Sequence, residues 1–203
     1  MSGQTEPPTS PAVPSPGLEQ IPTVFRDDIE SVLIGADDIH RRLDELAAQV
    51  DVDYADRELL LVGVLKGAIF VMADVARRLT IPASMDFMAV SSYGSSTTSS
   101  GVVRILKDLD TEIEGRDVLI IEDIVDSGLT LDYLMKNLRS RKPASVEVLS
   151  LLTKPTRREI ELPIRYVGFE VPDVFVVGFG LDFSESYRGL RSIVTLKPEV
   201  YAG

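Results

Sequence analysis

Residues 120–130, IIEDIVDSGLT, have the residue types of a sugar-phosphate site. An apolar run leads into the adjacent acids Glu122 and Asp123, and Asp126 then opens a turn of small residues. A turn of this kind that leads into a helix presents backbone N–H groups, hydroxyl groups and the positive end of the helix dipole, which together bind a phosphate group. The two adjacent acids can accept hydrogen bonds from the paired hydroxyl groups of a ribose. We therefore predict that this segment binds a sugar and a phosphate together.

The turn after Asp126 distinguishes a sugar-phosphate site from the sites of two other classes of protein. Adjacent acids after a strand also occur in response-regulator receivers and in metal-dependent phosphatases. The hypothesis of a response-regulator receiver leaves the turn Ser127-Gly128-Leu129-Thr130 unexplained. The sequence also lacks a convincing C-terminal lysine setting for such a receiver. In a phosphate site, Gly128 lets the backbone bend without the steric penalty of a Cβ atom. The turn therefore favours phosphate binding.

The overall composition limits what such a site can contain. The 203-residue chain has a formal net charge of −11, which repels nucleic acid and anionic membranes. A phosphate site must therefore gather Lys, Arg, backbone N–H groups or a divalent metal locally. The absence of cysteine excludes disulfides and thiolate metal sites and makes the cytoplasm the expected compartment. No signal peptide or membrane anchor is expected, because the N-terminal segment lacks a basic start and no apolar run approaches about 20 residues.

Apolar periodicity predicts strands that alternate with helices around the acids. Near-continuous apolar runs indicate strands buried on both faces, and apolar residues at helical spacing indicate amphipathic helices. The predicted strands are residues 59–65, 85–90, 102–106, 118–121, 146–152 and 175–177, and the predicted helices are residues 36–50, 69–79 and 129–138. This alternation predicts an α/β fold with a mostly parallel central sheet flanked by helices, whose ligands lie beyond the carboxyl ends of the strands. Residues 1–22 are predicted to be a disordered proline-rich tail before one domain, residues 23–203.

The segment EDIVDSGLT resembles the motif that binds phosphoribosyl pyrophosphate (PRPP) in type I phosphoribosyltransferases. Four motifs in that family's order, over about residues 33–196, resemble the hypoxanthine-guanine phosphoribosyltransferases. The resemblance implies the type I phosphoribosyltransferase fold, with a small hood subdomain and a flexible lid loop at residues 91–101. Ser92 and Tyr93 are the implied lid residues, and closure of such a loop excludes water from a reactive ribosyl centre. A homodimer or homotetramer is also implied.

The resemblance further implies a PRPP site with Mg²⁺. Leu65-Lys66-Gly67 resembles the loop that grips pyrophosphate, in which the family often holds the Leu–Lys peptide bond cis. The implied PRPP-binding residues are Lys66, Gly67, Glu122, Asp123, Asp126, Ser127, Gly128, Leu129, Thr130 and Arg188. The implied Mg²⁺ ligands are Glu122, Asp123 and Asp182. The chain departs from the common pattern at Ser127, Leu129 and Phe183, where Thr, Lys and Tyr are frequent.

The implied purine site lies on later segments of the chain. Lys154 matches a lysine that donates to the exocyclic O6 of the purine, which rejects adenine because its 6-amino group is itself a donor. Phe175 matches an aromatic residue that stacks on the base, and the backbone of Val176 matches a contact to its 2-position edge. Asp182 completes the purine-binding set, and Asp126 matches a general base near purine N7.

The implied reaction is Mg²⁺-dependent purine salvage, in which hypoxanthine or guanine and PRPP give IMP or GMP and pyrophosphate. One alternative is a xanthine-preferring phosphoribosyltransferase. Another is a regulatory protein of the same fold that binds nucleotides and RNA, although the acidic net charge offers little sign of the basic face this needs. Small-molecule substrates are therefore the expected partners, without nucleic acid or membrane. His40, the single histidine, is predicted to lie on a solvated helix face.

Overall fold

A computed structural model describes residues 17–92 and 103–201 of the chain. The strands are β1 (Ile29–Ile34), β2 (Leu59–Leu65), β3 (Ala83–Ser92), β4 (Val103–Lys107), β5 (Asp117–Val125), β6 (Ser145–Thr153), β7 (Tyr166–Glu170), β8 (Val176–Val177) and β9 (Ile193–Leu196). The helices are α1 (Thr23–Arg26), α2 (Ala36–Asp53), α3 (Ile69–Arg78), α4 (Leu129–Arg139) and α5 (Pro198–Tyr201). Within this described part, no helix is both long and apolar enough to cross a membrane.

The large sheet has six strands in the order β4-β3-β2-β5-β6-β7. Neighbouring strands are parallel except for the antiparallel pair of β3 and β4 at one edge. The chain places β3 and β4 on one side of β2 and then crosses to the other side of β2 to form β5. The strand order therefore reverses at β2. Ligands of open α/β sheets bind at such a reversal, beyond the carboxyl ends of the strands.

The central strands are buried on both faces, as their apolar runs predict. Alternate residues of β2 point to opposite sides, so that Leu59 and Leu61 pack with α2 and α3, whereas Leu60 and Val62 pack with α4. The same alternation continues in β5. The central strands therefore lie between α2 and α3 on one face and α4 on the other.

A second, three-stranded antiparallel sheet has the order β1-β9-β8. Its apolar cluster includes Ile21, Ile29 and Leu196. Ile21 is only 2% exposed, and Arg26 donates through Nε to its carbonyl oxygen at 2.7 Å. Ile21 is therefore packed on the small sheet, although it lies within residues 1–22, the segment predicted to be a disordered tail.

Other differences from the predicted elements are local. The strands β1, β7 and β9 were not predicted, and α2 continues to Asp53. Glu122 and Asp123 lie within β5, near its carboxyl end, and not after the strand. The predicted lid begins on β3 with Ser91 and Ser92, and the rest of it, including Tyr93, lies outside the described residues. His40 lies on the exposed side of α2, as predicted.

Candidate active site

A cleft of about 400 Å³ opens where β2, β5 and β6 end beside the small sheet. Its lining includes ten of the predicted site residues: Lys66, Gly67, Glu122, Asp123, Asp126, Lys154, Phe175, Val176, Asp182 and Arg188. An adjoining pocket of about 200 Å³ is lined by Asp126, Ser127, Gly128 and Thr130. Both cavities share Glu122 and Asp126, so the predicted residues that line them form one continuous site, whereas the predicted Leu129 lines neither cavity.

The turn at the start of α4 forms the smaller pocket. Gly128 adopts a left-handed conformation with φ of 87°, which L side chains rarely adopt, and α4 begins at the next residue. The amide of Glu159 donates to the carbonyl oxygen of Ser127 at 3.0 Å and ties the turn to the loop after β6. The amide of Leu129 donates to Ser127 Oγ at 3.4 Å, and the N-terminus of α4 borders a pocket that suits an anion.

The loop after β2 is held against β5 by very close backbone approaches. The peptide bond between Leu65 and Lys66 is cis. A Cβ atom at Gly67 would lie 1.7 Å from Asp123 Oδ2, and one at Gly180, where φ is 105°, would lie 2.0 Å from the carbonyl oxygen of Gly67. Glycine is therefore required at both positions for the loop to approach the acids.

The two adjacent carboxyl groups lie in an environment that disfavours their charge. Burial raises the pKa of Glu122 well above its usual range, and the neighbouring Asp123 carboxylate adds to this. Burial also raises the pKa of Asp123 to about 6. Groups of this kind are stabilised in the charged form by a cation or by hydrogen-bond donors. The pair therefore suits a ligand that brings hydroxyl groups or a metal ion.

The two cations of the cleft that were predicted to bind pyrophosphate, Lys66 and Arg188, are paired with acids. Arg188 Nη2 lies 2.8 Å from Asp182 Oδ1, and Arg188 Nη1 donates to the carbonyl oxygen of Gly180 at 2.7 Å. Lys66 Nζ lies 3.1 Å from both carboxylate oxygens of Glu185. Two predicted pyrophosphate contacts thus come together although they lie far apart in the chain.

The opposite side of the cleft combines a buried lysine with an exposed aromatic ring. Lys154 is 6% exposed at the end of β6, and its Nζ lies 3.7 Å from Asp173 Oδ1. Phe175 is 41% exposed and packs edge-on against Phe183, with ring centroids 5.9 Å apart. Val176 is buried in the small sheet. A flat polar ring between Lys154 and Phe175 would meet a donor at its edge and an apolar surface on its face.

Comparisons with known proteins place this geometry in a family. Residues 35–184 match the model of the phosphoribosyl transferase domain. The chain is 53% identical over 184 residues to the hypoxanthine-guanine phosphoribosyltransferase of Mycobacterium avium, covering 88% of this chain and 91% of the relative. The Bacillus subtilis hypoxanthine-guanine phosphoribosyltransferase is 53% identical over 178 residues, covering 88% and 99%.

The chain belongs to the hypoxanthine-guanine phosphoribosyltransferases. A crystal structure of a hypoxanthine phosphoribosyltransferase from Staphylococcus aureus aligns with a TM-score of 0.86 and 48% identity, covering 89% of this chain and 98% of that one. The predicted type I phosphoribosyltransferase fold, with a mostly parallel sheet flanked by helices, is thereby confirmed.

Three residues near the cleft of this phosphoribosyltransferase were not predicted. Arg157 Nε lies 3.1 Å from Asp126 Oδ1, and Arg157 Nη1 lies 3.4 Å from Asp173 Oδ1. Glu185 is the third, through its contact with Lys66. Glu185 stands three residues after Asp182 and three before Arg188, and Arg157 stands three residues after Lys154. This spacing was the available signal for Glu185 and Arg157, but none of the three residues, Asp173 included, matched a motif.

Proposed function

We propose that this phosphoribosyltransferase moves the 5-phosphoribosyl group of PRPP to N9 of hypoxanthine or guanine, forming IMP or GMP and pyrophosphate. The observation that carries the proposal is the continuity of one cleft from the phosphate turn of α4 to Lys154. The purine-salvage activity agrees with the names of the relatives.

The sugar-phosphate end of PRPP fits the smaller pocket. Its 5-phosphate would accept hydrogen bonds from the N–H groups of the turn, including that of Leu129, and from the hydroxyl groups of Ser127 and Thr130. The ribose hydroxyl groups would then lie beside Glu122 and Asp123, which line the adjoining cleft. Donation from these hydroxyl groups would stabilise the charged form of the two buried acids.

The pyrophosphate end of PRPP fits the side of the cleft that holds Lys66 and Arg188. The amide of Gly67 lies in the same loop, so it offers a backbone donor to the same group. During transfer the bond between C1′ and the pyrophosphate oxygen breaks, and the electron pair leaves with pyrophosphate. Lys66 and Arg188 would stabilise the charge that grows there.

The acids of the cleft fit Mg²⁺ that is shared with substrate. Within residues 17–92 and 103–201, no group of three or more metal-ligating side chains could hold an ion alone. Magnesium usually binds one or two carboxylates together with substrate phosphates and water, and Glu122, Asp123 and Asp182 supply oxygen ligands of that kind. Bound Mg²⁺ would neutralise part of the pyrophosphate charge.

The base would lie between Lys154 and Phe175. Lys154 would donate to O6 of a 6-oxopurine, Phe175 would cover the ring, and the backbone of Val176 and the side of Asp182 would border its other edge. Adenine carries a donor in place of O6, which would leave the buried ammonium without its partner. Unpaired buried polar groups discriminate strongly between substrates.

Asp126 would act as the general base. It lines both the sugar-phosphate pocket and the cleft that holds Lys154, so it stands where base and ribose meet. As N9 forms the bond to C1′, the proton on N7 would pass to the Asp126 carboxylate. Closure of the lid, with Ser92 and Tyr93, would exclude water at this moment.

The decisive experiment is steady-state turnover of PRPP with hypoxanthine, guanine, xanthine and adenine in parallel, with and without a chelator. We expect turnover of hypoxanthine and guanine that is lost when Mg²⁺ is removed. Lys154→Met should lower kcat/KM for hypoxanthine about 10- to 100-fold, because a hydrogen bond from a charged donor is lost. The exposed Lys136→Met is the matched control. Turnover of none of the four bases would contradict the proposal, and a preference for xanthine would change the substrate.

A further inference from the structure

Glu185 lies directly against the two cations that the proposed function assigns to pyrophosphate. Its carboxylate oxygens are both 3.1 Å from Lys66 Nζ. Its Oε2 is also 3.5 Å from Arg188 Nη2. Lys66 lowers the pKa of Glu185, so the side chain is an anion at neutral pH. One carboxylate therefore bridges both cations.

The position of Glu185 is set by the backbone of its turn. Ser184, Glu185 and Tyr187 have left-handed φ angles of 50°, 62° and 69°. The amide of Glu185 donates to Asp182 Oδ2 at 2.8 Å, and Phe183 and Ser186 exchange backbone hydrogen bonds of 3.2 and 2.9 Å. A turn constrained in this way directs the residue 185 side chain toward Lys66.

We propose that Glu185 is an internal competitor of pyrophosphate that weakens its binding and so promotes its release. This inference rests on the proposed function, which assigns Lys66 and Arg188 to pyrophosphate. An incoming pyrophosphate group must either displace the carboxylate from both cations or remain beside it at the cost of like-charge repulsion. When the product leaves, Glu185 pairs with the cations again. Only the state in which Glu185 does not contact the two cations binds pyrophosphate fully. The apparent affinity for pyrophosphate is therefore reduced in proportion to the fraction of molecules in which Glu185 is paired with them.

The competitor differs in kind from the two buried acids of the cleft, and it contacts Lys66 as well as Arg188, whereas Asp182 contacts Arg188 at 2.8 Å. Glu122 and Asp123 are buried and lie on β5, where substrate hydroxyl groups or a metal ion can compensate them. The Glu185 side chain is two-thirds exposed, and its contacts in the cleft are with cations. Removal of the Glu185 carboxylate should therefore strengthen the binding of pyrophosphate without changing the part of the cleft that holds Lys154 and Phe175.

The test compares wild type with Glu185→Gln in product inhibition by magnesium pyrophosphate, measured against PRPP at saturating hypoxanthine. At low ionic strength we expect the inhibition constant to fall about two- to fivefold, since exposed ion pairs have effects of this size. The KM for PRPP should fall in the same direction, and the KM for hypoxanthine should stay unchanged. At about 1 M salt, where charges are screened within about 3 Å, the two proteins should converge.

Glu114→Gln is the matched control, because it removes the same charge from the exposed turn before β5, at the opposite end of the sheet. Glu185→Asn is a second variant, since asparagine tolerates a left-handed backbone and also removes the charge. An unchanged or raised inhibition constant in both variants would overturn the proposal. Titration of inorganic pyrophosphate with Mg²⁺ by calorimetry tests the competition without turnover. If wild type binds pyrophosphate but does not turn over PRPP, the proposed function fails while the competition is still measured.

Discussion

Asp126 stands at the junction of the two cavities, within reach of an arginine that does not belong to the predicted site. Its Oδ1 lies 3.1 Å from Arg157 Nε, and its side chain is partly exposed to the cleft. An asparagine has nearly the same shape but cannot take a proton at neutral pH. The distinction between binding and proton transfer can therefore be tested at this single residue.

Asp126→Asn should lower kcat by about 100-fold or more while changing the KM for PRPP much less, because general-base catalysis contributes at least that factor. Steady-state kinetics with hypoxanthine measures both constants. Asp132→Asn, on the first turn of α4, is a control for charge removal nearby. Near-normal turnover in Asp126→Asn would exclude this residue as the base.

Asp123 should make the stability of the ligand-free protein depend on pH. Its raised pKa of about 6 means that the neutral carboxyl is the form favoured by folding. Its contribution to stability is therefore complete below the ordinary aspartate pKa and is lost as the pH rises through about 6. Asp123→Asn keeps the shape without the charge.

We expect Asp123→Asn to raise the free energy of unfolding at pH 8 by up to about 3 kcal/mol when a chelator is present. The gain should shrink as the pH falls from about 6 toward 4. Urea unfolding at a series of pH values measures this, with the exposed Glu58→Gln as control. A gain that did not depend on pH would mean that the charge of Asp123 carries no folding cost.

At the scale of the element, the active site depends on how closely the loop after β2 approaches its neighbours. Gly180 and Gly115 both have positive φ angles, of 105° and 73°. A Cβ at Gly180 would meet the carbonyl oxygen of Gly67, whereas a Cβ at Gly115 would have nothing within 4 Å. Substitution of Gly115 therefore tests only the cost of the positive φ angle, whereas substitution of Gly180 also tests the close contact with Gly67.

Gly115→Ala should cost about 1–2 kcal/mol of stability, the penalty of a left-handed non-glycine residue. Gly180→Ala should cost more and should also raise the KM for PRPP, because the loop that holds Lys66 and Gly67 must move. Urea unfolding and PRPP kinetics on both variants measure the difference. Equal effects on KM would show that the contact between Gly180 and Gly67 does not position the loop.

The sequence predicted the elements of the large sheet because its central strands are apolar on both faces and its helices have one apolar side. It did not predict β1 and β9, because their burial arises from a pairing between the two ends of the chain, which local periodicity does not contain. The motif segments identified most residues that line the cleft. Glu185 and Arg157 were missed because their roles come from partners that are distant in sequence or belong to no motif.

For the whole molecule, the boundary of the folded part can be located by truncation. Deletion of residues 1–16 should leave the melting temperature unchanged, since the predicted tail has few large apolar groups. Deletion of residues 1–22 removes Ile21 from the apolar cluster of the small sheet and should lower the free energy of unfolding. Ile21→Ala in the full chain should cost about 2–5 kcal/mol and serves as the internal control. Equal stability of the two truncated proteins would place the boundary after Ile21.

The antiparallel pairing of β1 with β9 has a consequence for the order in which the protein matures on the ribosome. Ile29 pairs with Leu196, and the Ser31 and Thr195 hydroxyl groups lie 2.8 Å apart. β8, which carries Val176, pairs with β9. Because synthesis proceeds from the N-terminus and distant pairings form late, the large sheet can assemble on the nascent chain before this small sheet exists. The strand that carries Val176 can therefore pair with β9 only after residues 193–196 have been synthesised, so the small sheet forms later than the large one.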